Sequence, residues 1–472
     1  MIARVIVVLA VPFALAACQS FSQDGGMGAV TQFASAALQK DAVALRTEAE
    51  AKAARAKVEE ILSRSLAADG AVQVALLNNR GLQAAFNDLF FAEALAVEAS
   101  LPPNPTFSIA RLVSRPEIEI ERQITVNLLA LATLPARSEI AREKFRAAQL
   151  RAAEAVARIA ADTRRAYYRA VATQQSVNLL TQAQSAALTA TQLARRLGET
   201  GALNKLDQAR EQVFYAELTG QLATARQRAR TERERLVRLL GLWGGDVDFR
   251  LPGTLPALPQ QARALPLVEQ EALRRRVDLQ MARIELLALA KSLGLSRATR
   301  FLSLFEINGR YDSIRERDHG ERFSRSGFEI EFTIPIWDFG EARTRQAEQT
   351  YLAALNRLAD KAVSIRSEAR EAYRSYRATH EIARHYYGEV LPLRKIISDE
   401  TLLRYNAMQI DVFELLSETR QRIAALEAAI EALREFWLAE ADLGAAIVGG
   451  GSPSSGAAER TGAPAENGSK GH

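Results

Sequence analysis

The 472-residue chain contains one cysteine, and no hydrophobic run long enough for a membrane helix follows its first 20 residues. A lone cysteine excludes an internal disulfide. Because a bilayer-spanning helix needs about 20 apolar residues, any membrane crossing by the mature chain must use strands. Lysine and arginine total 61 against 56 acidic residues, and the charges are interspersed. This balance provides no basic patch of the kind that binds nucleic acid.

Residues typical of catalysis and metal binding are also scarce. The sequence HEIARH at 380–385 places His380 and His385 five residues apart, whereas a zinc-protease helix needs its histidines four apart on one face. Arg384 occupies the position of the second ligand, so we expect both histidines to be exposed on a solvated helix. No glycine-rich loop ends in Lys-Ser or Lys-Thr, so a nucleotide site has no support. We expect neither an enzyme nor a bound metal or cofactor.

The amino terminus has the features of an export signal. A basic residue precedes an apolar run at 5–15, and small residues then lead to Cys18. The stretch LAAC ending at Cys18 resembles the lipobox of bacterial lipoproteins, in which the leader is removed before an acylated cysteine. We predict a signal peptide at 1–17 and a lipid-anchored segment at 18–70, with Cys18 as the attachment residue. A plain secretory leader with a chance cysteine is the alternative. By the same resemblance, Gln19 in place of aspartate points to sorting to the outer membrane.

The chain contains two copies of one pattern. ALLNNRGLQAAFNDL at 75–89 matches ALRRRVDLQMARIEL at 272–286 in its spacing of alanine, leucine and glutamine. Each copy is predicted to contain a helix, a strand pair, a very long helix and a final helix. We predict a first repeat at 71–242 (strands 105–130, helices 137–196 and 204–241), a linker at 243–266, a second repeat at 267–448 (strands 300–337, helices 341–404 and 409–446), and a disordered tail at 449–472.

The predicted helices are too long for an ordinary domain core. A helix of 60 residues extends about 90 Å. The final helix has apolar residues at alternating spacings of four and three, from Val412 to Trp437. This spacing is typical of a coiled-coil seam, with an ordinary helical bundle as the alternative.

The strands alternate strictly between apolar and polar residues. In EIEIERQITVNLL at 117–129 the isoleucines share one face and the glutamates the other, and GFEIEFTIPIW at 327–337 repeats the pattern. Such alternation suits either a globular sheet or a membrane barrel with a wet lumen. Four strands cannot close a barrel, and an open sheet edge is not tolerated in lipid. Membrane strands would therefore require oligomerisation, and three chains would supply twelve strands.

Several motifs make the chain similar to the TolC-type outer-membrane efflux family, specifically its lipoprotein branch. The motifs are RRAYYRA (164–170) echoed by REAYRSY (370–376), PIWDFG (335–340), LARRLGETGALNKLDQA (193–209) and LLRYNAMQIDVFELL (402–416). The resemblance implies a mainly α fold with a small membrane β part. It implies a homotrimer whose 12-stranded barrel in outer-membrane lipid continues into a long helical coiled-coil tunnel through the periplasm. The tunnel's closed tip is expected to dock onto a periplasmic adaptor and an inner-membrane pump. The first copy departs from the family with LATLPARSEI in place of the Asp-Gly turn, and the second with Met408 where glycine is common.

In such a barrel the glutamates would line the pore. The predicted lumen-lining residues are Glu119, Glu121, Glu306, Glu329 and Glu331. Rings of carboxylates attract cations, so we predict a cation-biased lumen. The alternative is that these glutamates pair with Arg310 or with loop arginines and leave little net field.

The turns between long helices are the second predicted site. By resemblance, they form the periplasmic tip and contact the adaptor through Gly198, Gly201, Asp207, Asn406 and Asp411. Alternatively, the two aspartates only stabilise the first turn of the next helix, by about 0.3–1 kcal/mol each. The second functional hypothesis is a lipid-anchored periplasmic coiled-coil scaffold or adaptor without a pore. Nothing in the sequence identifies a cargo.

Overall fold

The computed structural model describes residues 21–201, 203–316 and 321–451. The predicted signal peptide, Cys18 and residues 452–472 of the predicted tail lie outside these ranges. The described chain is mainly helical and has one four-stranded antiparallel sheet, which confirms the predicted mainly α fold with a small β part.

The first half of the chain begins with two helices that precede the first predicted repeat. They are α1 (Met27–Phe33), which runs into a π-helical turn at Ala34–Leu38, and α2 (Glu48–Leu62). The elements that follow are α3 (Ala68–Asn78), α4 (Arg80–Ser100), β1 (Thr106–Val113), β2 (Glu117–Asn127), α5 (Leu128–Ala132), α6 (Leu134–Glu199) and α7 (Lys205–Leu240). Helix α6 has 66 residues, which corresponds to about 100 Å.

The second half has its elements in nearly the same order. They are α8 (Val268–Arg275), α9 (Val277–Ala298), β3 (Leu304–Glu316), β4 (Arg322–Thr333), α10 (Glu341–His385), a π-helical turn at Tyr386–Val390, α11 (Leu391–Asn406) and α12 (Val412–Val448). The π turn ends two residues before Pro392, which lacks the backbone N–H that a regular helix would use. The predicted single helix at 341–404 is therefore interrupted.

The sheet has the strand order β1-β2-β3-β4, and every neighbouring pair is antiparallel. Strands β1 and β3 follow long helices and run away from them, whereas β2 and β4 return toward the helical part. The turn between β1 and β2, the end of β3 at Glu316 and the start of β4 at Arg322 therefore lie at the end of the sheet farthest from the helices. In the described residues β1 and β4 each have a single partner, so both are edge strands.

Each predicted first helix is broken in two, at Asn79 in one half and at Arg276 in the other. The Asn79 side chain accepts a hydrogen bond from Leu82 N at 3.0 Å and donates one to Leu239 O at 2.9 Å. The side chain thus caps the new helix and ties it to α7. Arg276 is buried and makes a 3.0 Å ion pair with Asp278.

The tyrosine motifs lie in the main hydrophobic core, where the two halves pack together. Tyr168 stacks on Trp437 with ring centroids 5.2 Å apart. The Tyr167 hydroxyl donates to Leu66 O at 3.1 Å, and the Tyr376 hydroxyl accepts from Arg263 N at 3.1 Å. Burial raises the pKa of Tyr167 to about 12. The two motifs therefore hold the amino-terminal segment and the linker against the long helices.

No helix within the described ranges combines the length and apolarity that crossing a membrane requires.

Candidate functional site

The register of the sheet places all five predicted lumen glutamates on one face. Glu119 and Glu121 on β2 pair across the strands with Ile314 and Asp312 on β3. Glu306 on β3 pairs in the same way with Glu331 on β4. Glu329 on β4 pairs with Asn308 on β3, and both side chains lie on this face. Asn308, Asp312 and Ile314 are buried, so this polar face is the more enclosed side of the sheet.

Part of this carboxylate field is neutralised by Arg310. Its guanidinium forms an ion pair with Glu121 and a second one with Asp312 at 2.9 Å. The alternative of glutamate pairing with Arg310 is therefore correct for Glu121. Glu306 instead accepts a hydrogen bond from Asn127 Nδ2 at 3.1 Å.

One acidic group in the described residues has the spacing of a possible cation site: Glu119, Glu121 and Asp312. Arg310 already contacts two of these three carboxylates. Because a guanidinium supplies the positive charge there, the cluster serves as an ion-pair network across β2 and β3.

The opposite face of the sheet is apolar and exposed. Its large exposed side chains are Phe107, Ile109, Val113, Ile124, Phe328, Ile330 and Phe332. Beyond the inner end of β4, Trp337 is 95% exposed, and Phe301, which precedes β3, is 62% exposed. Exposed apolar surface of this extent marks an interaction surface for lipid or protein.

The first turn between long helices joins α6 to α7. Gly201 has φ +77°, in the left-handed region where a side chain is strained. A Cβ at Gly198 would overlap the side chain of Gln208, which donates to Leu203 O at 3.1 Å. Gly201 is thus required by its backbone conformation, whereas a side chain at Gly198 would only displace the flexible end of Gln208.

The helix after this turn is capped by Asn204, whose side-chain oxygen accepts from Asp207 N at 2.9 Å. Asp207 lies in the first turn of α7 and forms an ion pair with Arg210 at 3.0 Å. Its position supports the helix-stabilising alternative.

The second turn joins α11 to α12 and is built differently. Asn406 ends α11, and Asp411 caps α12 by accepting from Glu414 N at 3.0 Å. Met408 has φ +58° and is 93% exposed. A non-glycine residue therefore occupies a left-handed position that favours glycine, without packing that would compensate for the strain.

No protein-family model and no curated protein matches the chain. Solved structures do match. The outer-membrane channel OprN is 19% identical, with 84% of this chain and 91% of OprN covered, at a TM-score of 0.67. CusC, whose crystal structures concern transmembrane channel formation, is 16% identical over 84% of this chain and 92% of CusC, also at 0.67. The CmeC outer-membrane channel of Campylobacter jejuni is 15% identical over 81% of this chain and 86% of CmeC, at 0.68.

The chain has the fold of these outer-membrane channels. Because the sequence identities are low, the likeness concerns the fold, and the roles of individual residues must come from the contacts within this chain.

An ion pair near the tips was missed by the sequence analysis. Glu211 on α7 is 2% exposed and receives a 3.2 Å contact from Arg420 on α12. The Arg420 guanidinium also lies over the ring of Phe214, 4.3 Å from its centroid. Burial raises the pKa of Glu211, and the positive charge of Arg420 opposes that rise. This pair joins the two helical hairpins about 10 Å above their turns, since its residues lie within nine positions of Asn204 and Asp411.

A second polar contact lies nearby within the α11–α12 hairpin. Arg394 contacts the buried Glu418 at 3.1 Å and donates to Gln421 at 2.7 Å. Neither ion pair could be predicted from the sequence, because glutamate and arginine are common on all of these charged helices.

The expectation for the histidines was correct for His385, which is exposed, and wrong for His380, which is 2% exposed. His380 Nε2 lies 2.9 Å from Pro259 O, and its ring packs edge-on against Phe436 with centroids 5.5 Å apart. The linker crosses α10 at this point and covers the ring. His380 is therefore a core residue that attaches the linker to the helix.

Proposed function

We propose that the chain is the outer-membrane channel of a tripartite efflux system. Three copies form a twelve-stranded barrel in the outer membrane, and their helices form a tunnel through the periplasm. Cargo crosses passively, without a catalytic step in this chain, and an inner-membrane pump supplies the energy. The observation that carries the proposal is a sheet with one exposed apolar face, one carboxylate-rich face and two open edges.

The strand directions are compatible with closure by identical copies. Strand β1 runs away from the helices and β4 runs toward them. The β4 edge of one copy can therefore pair antiparallel with the β1 edge of the next, which is the arrangement within each sheet. Pairing of this kind satisfies the edge N–H and C=O groups that lipid would leave unpaired. The strands contain 8 to 13 residues, and a tilted strand needs about 9–11 to cross a bilayer.

The amino-terminal segment fits a lipid anchor at Cys18. Ser22 N donates to the buried Glu93 carboxylate at 2.8 Å, and Glu93 lies seven residues before the end of α4 at Ser100. Ser22 is thus held about 10 Å along the helix from the end of α4, the end from which the chain continues to β1. Four residues of extended chain reach about 14 Å, so Cys18 can reach the end of α4 that faces the sheet, and its acyl group can enter the membrane there.

The lumen and the tips carry the remaining roles. Carboxylates of the polar face give the barrel a cation bias, reduced at the level of Arg310 by its pairing with Glu121. The turns containing Gly198, Gly201 and Asp207, and containing Asn406 and Asp411, contact a periplasmic adaptor. The Glu211–Arg420 pair holds the two hairpins together and keeps the aperture closed.

Gel mobility and extraction test this proposal against the scaffold hypothesis. The channel should be extracted from outer membranes only by detergent, and should run as a trimer that heating converts to monomer. A Cys18→Ser variant, which cannot be acylated, should remain in the membrane because its strands are embedded. Release of that variant as a soluble monomer would instead support a pore-free scaffold.

A further inference from the structure

The charges of the sheet are sorted by sign between its two faces. The face that carries most of the exposed phenylalanines and isoleucines also has four arginines and no carboxylate: Arg111, Arg122, Arg315 and Arg322. The opposite face has eight carboxylates and two arginines: Glu117, Glu119, Glu121, Glu306, Asp312, Glu316, Glu329, Glu331, Arg310 and Arg325. An uneven distribution of this kind points to an anionic partner for the apolar face.

The four arginines occupy the half of that face farthest from the helices. Arg122 is level with Tyr311, Arg111 lies in the same row as Ser313, and Arg315 pairs with Arg322 at the outer end of β3 and β4. Successive rows on one face are separated by about 5 Å along the membrane normal for a tilted strand. The arginines therefore form a band about 10 Å tall, which we call the arginine band.

The half of the face nearer the helices contains no charge in its described residues. Its rows contain Phe305 with Phe332, Ile307 with Ile330, and Phe328 near Ile124. Below them, Ile336 and Trp337 are exposed. A lipid-facing arginine is strongly unfavourable at the bilayer midplane and nearly neutral at the interface. The apolar rows therefore mark the hydrocarbon, and the arginine band lies at the outer headgroup level.

The arginine band is available for an external ligand. Arg111, Arg315 and Arg322 are exposed, and none of them forms an ion pair with another described residue. Arg122 is positioned by a 3.0 Å hydrogen bond to Ser313 Oγ and lies over the ring of Tyr311, 5.8 Å from its centroid. Guanidinium groups bind phosphate through paired N–H donors, and near a membrane surface they favour anionic headgroups.

We propose that the arginine band binds the phosphate groups of phosphorylated glycolipids in the outer leaflet. This inference rests on the proposed function, since it requires the apolar face to contact lipid. In a trimer the band would present twelve guanidinium groups around the outer rim of the barrel. The bound lipid would fix the height of the barrel in the membrane and seal its outer rim.

The test uses the full acylated protein, purified in a non-ionic detergent, with lipid A as the probe. Binding is measured by native mass spectrometry for lipid A, for the same lipid without its phosphates, and for inorganic phosphate. Lipid A should bind to the trimer. The dephosphorylated lipid should bind about 100-fold more weakly, which corresponds to about 1 kcal/mol for each of three exposed arginines.

The protein-side variant replaces Arg111, Arg315 and Arg322 together by glutamine. It should bind lipid A about 100-fold more weakly than the parent protein. The matched control is Arg325→Gln, which removes one exposed arginine at a similar height from the polar face and should bind lipid A as the parent does. If the triple variant does not assemble, the comparison of the two lipids on the parent protein still decides the question.

Equal binding of both lipids would overturn the inference, as would an equal loss in Arg325→Gln. Inorganic phosphate that competes with lipid A at micromolar concentration would show an anion site that does not require lipid, and would also overturn it. Conductance of the same preparation in planar bilayers separates the two proposals. A conducting trimer that binds both lipids equally would refute only the lipid-binding role of the arginine band. The absence of a conducting trimer would refute the channel proposal itself.

Discussion

Replacing Arg420 by methionine should loosen the junction between the two helical hairpins. The Glu211 carboxylate is 2% exposed, and its ion pair with Arg420 spans 3.2 Å between α7 and α12. Methionine keeps most of the side-chain length that packs beside Phe214 but removes the charge. Glu211 would then remain buried in the closed tip without a cation.

The expected magnitude follows from the cost of that unpaired group. Leaving one buried polar partner unsatisfied costs about 1–3 kcal/mol. The larger cost of breaking a completely buried ion pair does not apply, because the Arg420 side chain is 40% exposed. If separation of the hairpins hydrates Glu211, the equilibrium shifts toward the open tip by about 5–150-fold.

The effect should depend on pH, and the sign follows from the pKa of Glu211. Burial raises this pKa, so the closed form is favoured at low pH, and that advantage is lost as pH rises through the raised value. Arg420 opposes the rise, so its removal should raise the pKa further. The Arg420→Met channel should therefore close again on acidification, at a higher pH than the parent channel.

Single-channel recording in planar bilayers measures the open fraction directly. Arg422→Met is the matched control, because Arg422 lies two residues away and contacts only Ser398 Oγ, at 3.1 Å, among the polar groups of the described chain. Replacing Glu211 by leucine in the Arg420→Met background removes both partners and should restore the open fraction to within a few-fold of the parent. An unchanged open fraction in Arg420→Met, or an equal increase in Arg422→Met, would refute the assignment of this pair to closure.

Three further outcomes are expected. Replacing Glu306 and Glu331 together by glutamine removes two facing carboxylates per chain and should lower the ratio of potassium to chloride permeability; an unchanged reversal potential would contradict a carboxylate-lined lumen. Replacing Gly201 by valine and Asp207 by alanine should abolish export while the amount of membrane trimer on gels stays constant; retained export would remove the tip assignment. Met408→Gly should relieve about 1 kcal/mol of left-handed strain and slow proteolysis at the second tip, and faster cleavage would contradict this.

The alternation of β2 and β4 allowed the faces of the sheet to be predicted from sequence. Because strand side chains alternate with a period of two, Glu119 and Glu329 necessarily lie on the other face of the sheet from the isoleucines next to them in sequence. Strand β3 was harder. It runs from Leu304 to Glu316, and its Ile314 lies on the polar face and interrupts the alternation.

The helix breaks and the burial of His380 depend on contacts between distant parts of the chain. Neither Asn79 nor Arg276 is a proline or glycine, and the break at Asn79 is fixed by its bond to the α7 carbonyl of Leu239, 160 residues away. His380 is buried because Pro259 in the linker covers it. The periodicity of apolar residues, 3.6 in a helix and two in a strand, contains no information on such contacts.

The pairing of Glu211 with Arg420 joins residues 209 positions apart. It became visible only when the packing of the two hairpins was known. The tip turns, in contrast, were predictable, since Gly201 and Asp411 have the local chemistry of a helix end and a helix start.

Spin labels at two adjacent positions of β4 provide the most direct test of the central claim, that the two faces of the sheet contact lipid and water. In trimers reconstituted into bilayers, a label at position 330 should be accessible to oxygen dissolved in lipid, and a label at position 329 to a water-soluble nickel complex. Ile330 lies on the exposed apolar face and Glu329 on the carboxylate face. Equal accessibility of both labels, or the reverse order, would contradict the account.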